Sequence, residues 1–76
     1  MTEHELVKKL EDMYGNAPKS EQVAHIHLFG IKYASIIKEN SYSLTNIIKE
    51  SVLPNSYVTE LSKGIKLSKY VTLKSI

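Results

Sequence analysis

One stretch of the chain, from Asn46 to Gly64, constrains the fold most strongly. It has the pattern of two short amphipathic helices separated by a break of fixed length: NIIKESVLPNSYVTELSKG. The first helix is predicted to follow Ser43, a good N-cap, and the second to start at Asn55 and end at Gly64. The spacing of the apolar residues predicts that these side chains face the core: Leu44, Ile47, Ile48, Val58, Leu61 and Ile65. Two helices so close in sequence must cross steeply.

The N-terminal segment is predicted to form a helix from about Glu3 to Tyr14. Thr2 and Glu5 have the spacing of a capping box at its start, and Gly15 is the expected end. Its apolar stripe consists of Leu6, Val7, Leu10, Met13 and Tyr14. Such a stripe indicates a helix that packs one side against a core.

The longest predicted helix, roughly Pro18 to Asn40, is apolar around most of its circumference. Such a helix must be buried on more than one side. Either it runs through the centre of the bundle, or part of it pairs with a second copy of the chain. In the second case we expect a homodimer interface formed by Phe29, Tyr33, Ile36 and Ile37. Gly30, in the middle of this helix, marks either the close approach of another helix or a tolerated glycine.

The C-terminal stretch IKLSKYVTLKSI fits two structures. Its spacing allows a short helix capped near Ser68, whereas the β-branched and aromatic residues from Tyr70 to Leu73 suit a strand. A lone strand could pair only with its copy in a dimer. We therefore favour a helix with a frayed end.

Size and composition predict a single domain, residues 1–76, with one small core. The chain is 42% hydrophobic and 24% charged, and it contains no stretch of ~20 apolar residues that could span a bilayer. The charged start MTEHEL differs from a signal peptide. The lack of cysteine excludes disulfides and thiolate metal sites and is consistent with a cytoplasmic protein.

Positive charge is concentrated near the C-terminus, although the net charge is only +2. After Glu60 there is no acidic residue, but there are four lysines: Lys63, Lys66, Lys69 and Lys74. This local field either favours phosphate contacts or belongs to a solvated tail. The chain contains no arginine, the residue that most often makes the bidentate contact to guanine, which argues against strong direct readout of bases.

Catalytic and metal sites are not indicated. His25 and His27 are two positions apart on a predicted helix and so point to nearly opposite sides. We expect His27 at the margin of the core and His25 in solvent, with no metal and no cofactor. No hydrolase motif or glycine-rich phosphate loop is present, so we expect a protein that is not an enzyme.

The segment from Leu44 to Ile65 resembles the helix-turn-helix superfamily of small bacterial and phage repressors. Ile47 and Ile48 match the first buried pair of that pattern, Leu53 the apolar turn residue, and Val58 and Leu61 the inward side of the recognition helix. The resemblance implies an all-α fold, a small bundle of four to five helices that contains a helix-turn-helix.

Two positions depart from the family pattern. Val52 stands where the turn usually has glycine, and a β-branched residue with positive φ is strained, which predicts a different turn conformation. Pro54 stands where a serine or threonine usually caps the recognition helix. We expect Pro54 to keep Leu53 out of helical geometry, so that Asn55 becomes the N-cap residue.

The resemblance also implies which residues contact double-stranded DNA. Positions that usually face base edges are Asn55, Ser56 and Glu60, flanked by Tyr57 and Thr59. Thr45 and Asn46 match positions that often contact phosphate, and further phosphate contacts are expected from Lys63, Lys66 and Lys69. Tyr57 is predicted to point outward.

Two functions follow from these observations. The first is a sequence-preferring transcriptional regulator or controller of a bacterium or phage, acting as a homodimer. The alternative is a non-enzymatic protein-interaction module of the antitoxin, anti-repressor or nuclease-inhibitor type, docking through its apolar second helix. The salt dependence of binding separates them, because phosphate contacts weaken steeply with salt.

Overall fold

The computed structural model describes residues 1–73, which form four α-helices and no strand. The helices are α1 (Glu3–Asn16), α2 (Gln22–Glu39), α3 (Leu44–Glu50) and α4 (Tyr57–Leu67), and a 3₁₀ turn at Lys19–Glu21 precedes α2. This confirms the predicted small all-α bundle. None of the helices in residues 1–73 has the length and hydropathy needed to cross a bilayer.

The start of α1 has the predicted capping box. The Thr2 hydroxyl accepts a hydrogen bond from the Glu5 amide at 3.1 Å, and the Glu5 carboxylate accepts one from the Thr2 amide at 2.8 Å. The hydrogen bond from the Thr2 backbone lowers the pKa of Glu5 below its ordinary value of 4.5. The predicted end at Gly15 was wrong, because the helix continues to Asn16.

Helix α2 ends in a Schellman motif around Ser41. The Tyr42 amide donates to the Ile37 carbonyl and the Ser41 amide to the Lys38 carbonyl. Ser41 has φ of 54°, the only positive φ among the non-glycine residues described. Tyr42 then packs against the core, which fixes the direction in which the chain leaves the helix.

The core is formed by all four helices and the turn before α4. The side chains buried in it are Leu6, Val7, Leu10, Ile26, Phe29, Tyr33, Ile37, Ile47, Ile48, Leu53 and Leu61. Seven of them have less than 2% of their surface exposed, with Phe29 the largest. Helix α2 lies between α1 and α4, and α3 contacts both α1 and α4. Helix α2 therefore runs through the centre of the bundle, one of the two arrangements predicted for the apolar helix.

The predicted dimer interface lies mostly inside a single chain. Phe29 is 0%, Ile37 4% and Tyr33 6% exposed, and all three belong to the monomer core. Assigning these three to a contact between copies was therefore wrong, since neighbours in the same chain account for their burial. Ile36 is half-buried at the edge of the core.

Two glycines allow α2 and α4 to cross in backbone contact. A Cβ atom on Gly30 would lie 2.9 Å from the carbonyl carbon of Gly64, and one on Gly64 would lie 2.5 Å from the carbonyl oxygen of His27. Neither position has room for a side chain. Gly30 therefore marks the close approach of another helix, whereas the prediction that Gly64 ends its helix was wrong.

Residues 68–73, the described part of the segment after α4, form neither structure proposed from its sequence. Ser68 lies at the C-terminal cap of α4 instead of starting a new helix, and residues 71–73 have no regular secondary structure. Lys74, one of the four lysines of the basic tail, lies outside the described residues.

Candidate nucleic-acid interface

Helix α3 begins as its sequence predicts. The Ser43 hydroxyl caps it by accepting a hydrogen bond from the Asn46 amide at 3.3 Å. Ile47 and Ile48 then reach the core with no exposed surface. This arrangement leaves Thr45 and Asn46 exposed in the first turn, where a phosphate could approach them.

The turn between α3 and α4, residues 51–56, is held by side-chain hydrogen bonds. Ser51 Oγ donates to the Ile48 carbonyl at 2.6 Å and accepts from the Leu53 amide at 3.1 Å. The Val52 amide donates to Glu11 Oε2 of α1 at 3.1 Å. With Leu53 only 6% exposed, the turn is anchored to the core by a side chain and to α1 by a carboxylate.

The turn avoids the strain that the usual glycine position would impose on valine. Val52 has a negative φ and is 85% exposed. The negative φ agrees with the prediction that this turn differs from the usual conformation. The role of Glu11 was missed, because its partner is 41 residues away and no local pattern connects them.

Helix α4 starts later than its sequence suggested. Regular helix begins at Tyr57 and not directly after Asn55, and Ser56 occupies the N-cap position without a side-chain cap. Backbone carbonyls cap it instead, since Pro54 accepts from the Tyr57 amide and Asn55 from the Val58 amide, each at 3.1 Å. The predicted cap by the Asn55 side chain was therefore wrong.

The side of α4 that faces away from the bundle forms a polar stripe, which we call the outward stripe. It consists of Ser56, Thr59, Lys63 and Lys66, all exposed. Their spacing of three or four residues aligns them along one side of a helix. The opposite side buries Leu61 and Gly64, so the stripe is presented by a helix fixed to the bundle. Asn55 and Lys69, just outside the ends of α4, are also exposed.

Tyr57 does not point outward as predicted. It is half-buried against Tyr14 of α1, with 5.7 Å between the ring centroids and 3.4 Å between the hydroxyl oxygens. The hydrogen bond with Tyr57 raises the pKa of the Tyr14 phenol above its ordinary value of 10.0. Tyr57 thus joins α4 to α1, and its ring is not free to stack on a base.

Glu60 also differs from its predicted position facing base edges. Its Oε1 lies 2.7 Å from His27 Nε2 of α2, and its Oε2 lies 3.4 Å from Lys63 Nζ. An ionised carboxylate can only accept, so Nε2 carries the hydrogen of this bond. The bond from His27 lowers the pKa of Glu60 below 4.5, partial desolvation opposes this, and the charge of Lys63 lowers the pKa further.

The two neighbouring histidines are separated by the helix, as their spacing predicts. His27 lies at the core margin beside Glu60, while His25 is half-buried near Asp12 instead of being in solvent. Over residues 1–73, no cluster of three or more histidine, cysteine, aspartate or glutamate residues is arranged to hold a metal ion.

The arrangement of α3, the turn and α4 on two supporting helices defines a helix-turn-helix class of protein. Residues 2–74 match the sequence profile of a family described as an HTH-like domain. The chain therefore belongs to this HTH-like family. No curated protein and no solved structure matches the chain significantly.

Proposed function

We propose that the chain binds double-stranded DNA by placing the outward stripe of α4 in the major groove. The observation that carries this proposal is a row of exposed hydroxyl and ammonium groups on a helix whose other side is held against α2. The major groove of B-DNA is ~12 Å wide, which admits one α-helix. A fixed helix positions its donors without a large ordering cost.

The outward stripe divides into two kinds of contact. Ser56 and Thr59, nearer the start of the helix, carry small hydroxyl groups that suit base edges or nearby phosphates. Lys63 and Lys66 carry the positive charge that phosphates require. Asn55 and Lys69 just outside the ends of α4, and Thr45 and Asn46 in the first turn of α3, are exposed polar residues for further contacts. Tyr57 and Glu60 are omitted because they pair with Tyr14 and His27.

Direct readout by this surface is modest. The chain has no arginine for bidentate contacts to guanine, so Asn55, Ser56, Thr59 and the lysines must discriminate between bases. We therefore propose binding in which phosphate contacts supply most of the free energy and sequence preference is limited.

The finer proposal is a non-enzymatic transcriptional regulator that acts as a homodimer in the cytoplasm of a bacterium or in phage infection. A single α4 covers a short site, and two copies about 34 Å apart would reach successive major-groove faces. Sedimentation of the chain with and without a duplex tests this. A complex with two chains per duplex supports it, and a one-to-one complex at saturation contradicts it.

The alternative of a protein-interaction module loses the docking surface first assigned to it. That surface was the apolar side of α2, and its largest residues, Phe29, Tyr33 and Ile37, are buried in the core. They can contact a partner only if the bundle opens.

A salt titration with two matched double variants tests DNA binding. Lys63→Ala with Lys66→Ala removes two charges from the outward stripe, and Lys8→Ala with Lys9→Ala removes two exposed charges from α1. If both stripe lysines contact phosphates, the slope of log K against log salt falls by about 1.8, at roughly 0.9 per contact. Fluorescence anisotropy of a labelled duplex measures the slopes.

The α1 double variant is the control for net charge. We expect it to keep the slope of the unaltered chain, because Lys8 and Lys9 lie on a different helix. Equal loss of slope in both variants would contradict the proposal, since it would mean that overall charge and not the stripe attracts DNA.

A further inference from the structure

A shallow apolar groove lies where the end of α4 meets α2. His27 lines it from α2, while Lys63, Lys66 and Leu67 line it from α4 and Tyr70 from the turn that follows. Its volume is about 320 Å³, and its walls are almost wholly carbon surface, to which the lysine stems contribute. The groove is open to solvent along one side.

Exposed apolar side chains are concentrated beside this groove. Leu67 is 41%, Val71 46% and Tyr70 81% exposed, all within five residues of each other. The other large apolar side chains exposed within residues 1–73 are spread along the chain, at Met1, Val23 and Val52. Single exposed apolar residues are ordinary, whereas a group bordered by polar residues marks a contact surface.

The charges around the groove indicate the kind of partner. Lys63 and Lys66 line it, and the nearest acid along α4 is Glu60, whose carboxylate is already paired with His27 and Lys63. Lys66 has no ion-pair partner in the part of the chain that the structure describes. A second copy of the chain fits poorly, because a twofold contact would bring these lysines together.

We propose that this groove binds an acidic segment of a partner protein, with one large apolar side chain of that segment seated between Leu67 and Tyr70. Carboxylates on either side of the anchor would pair with Lys63 and Lys66. A small molecule fits less well, since drug-sized ligands usually have most of their surface enclosed and this groove is open. A peptide segment can extend beyond the groove along the protein surface, and the additional contacts increase its affinity.

This site overlaps the outward stripe. Lys63 and Lys66 belong to both surfaces, so an acidic segment in the groove would exclude phosphates from these lysines. The partner would therefore release the chain from DNA. This consequence rests on the proposed function, whereas binding of the segment itself does not.

The test uses a fluorescein-labelled acidic peptide and no DNA. The probe is a helical twelve-residue peptide with one phenylalanine and two leucines on one side and glutamates elsewhere. Two matched peptides replace the glutamates by lysines or the apolar residues by serines. We expect saturable anisotropy changes with the first peptide and at least about tenfold weaker binding of the other two.

Variants of the chain locate the site. Leu67→Ser and Tyr70→Ser should each weaken the acidic peptide at least about tenfold. Val23→Ser is the matched control, because Val23 is 40% exposed and lies outside the groove. Lys66→Glu should weaken the acidic peptide and strengthen the lysine peptide, a reversal that misfolding cannot produce.

Three results would overturn the inference. The first is no binding of the acidic peptide, and the second is an equal loss of binding in Val23→Ser and Leu67→Ser. The third is a dimer of the unaltered chain, detected by light scattering without peptide, that Leu67→Ser converts to monomer, because a second copy would then occupy the groove. Failure of the salt titration on DNA would leave the peptide result standing, so the two proposals fail separately.

Discussion

The two sides of α4 differ in how strongly the rest of the molecule constrains them. On the side toward α2, Gly64 brings two backbones into contact and leaves no space for a methyl group. On the outward side, Ser56, Thr59 and Lys63 are exposed. Backbone contact with α2 therefore fixes the helix in place, and the outward side remains exposed without a role in the core.

The largest expected effect comes from filling the space at Gly64. In Gly64→Ala the new methyl would meet His27 backbone atoms at 2.5 to 3.0 Å, and backbone can yield only if the helices separate. We expect a loss of about 2 kcal/mol in the free energy of unfolding, because overpacking exceeds the gain of about 1 kcal/mol in helix propensity. Urea denaturation followed by circular dichroism measures it.

Gly15→Ala is the matched control for that experiment. Gly15 also lies in a helix, but an added Cβ would meet no atom within 4 Å. We expect a small gain of up to about 1 kcal/mol. If both variants are destabilised equally, the crossing of α2 and α4 is not the constraint described above.

Glu60 lies at the boundary between the two sides, and its effect depends on pH. Its pKa is lowered in the folded chain, so it contributes stability that is present above pH 4.5 and is lost as the pH falls through the folded pKa. Glu60→Gln should therefore lower the urea midpoint at pH 6, and the difference should disappear in acid below the folded pKa. A difference that persists unchanged at pH 2.5 would contradict the pairing with His27.

Tyr57 lies at the other boundary, and a spectroscopic change reports its contact. Tyr57→Phe removes the hydroxyl that bonds to Tyr14, so the pKa of Tyr14 should fall toward its ordinary value of 10.0. NMR of the Tyr14 ring resonances against pH follows the titration of this one phenol. An unchanged pKa of Tyr14 in the variant would mean that the two hydroxyls are not in contact.

The smallest change in stability is expected on the outward side itself. Thr59→Ala removes an exposed hydroxyl in a helix, so the free energy of unfolding should change by less than about 0.5 kcal/mol. DNA binding should weaken in the same variant. A large loss of stability would show that this side also packs against the bundle.

Local patterns in the sequence predicted the elements whose partners are near in the chain. The capping box of Thr2 and Glu5 and the cap by Ser43 both form within three residues. Apolar spacing likewise predicted the buried Ile47, Ile48 and Leu61. These features depend on helix geometry alone, and so the all-α fold could be predicted.

The errors fall where distant partners decide the outcome. A glycine that ends a helix and one at a helix crossing look the same in sequence, and only the His27 backbone distinguishes Gly64. Glu60 and Tyr57 lie at the edges of the exposed side of α4. At such positions helical spacing does not distinguish a side chain in solvent from one that contacts another helix. Their partners are 33 and 43 residues away. Ser56, Thr59, Lys63 and Lys66 are exposed, and their predicted contact with DNA stays a prediction.

Amide chemical-shift mapping of the ¹⁵N-labelled chain tests whether the outward stripe of α4 contacts DNA. A short mixed-sequence duplex is added at low salt, where phosphate contacts are strongest. We expect the largest shifts at Ser56, Thr59, Lys63 and Lys66 and none in α1 around Lys8. Shifts centred on α1, or no shifts at saturating duplex, would contradict it.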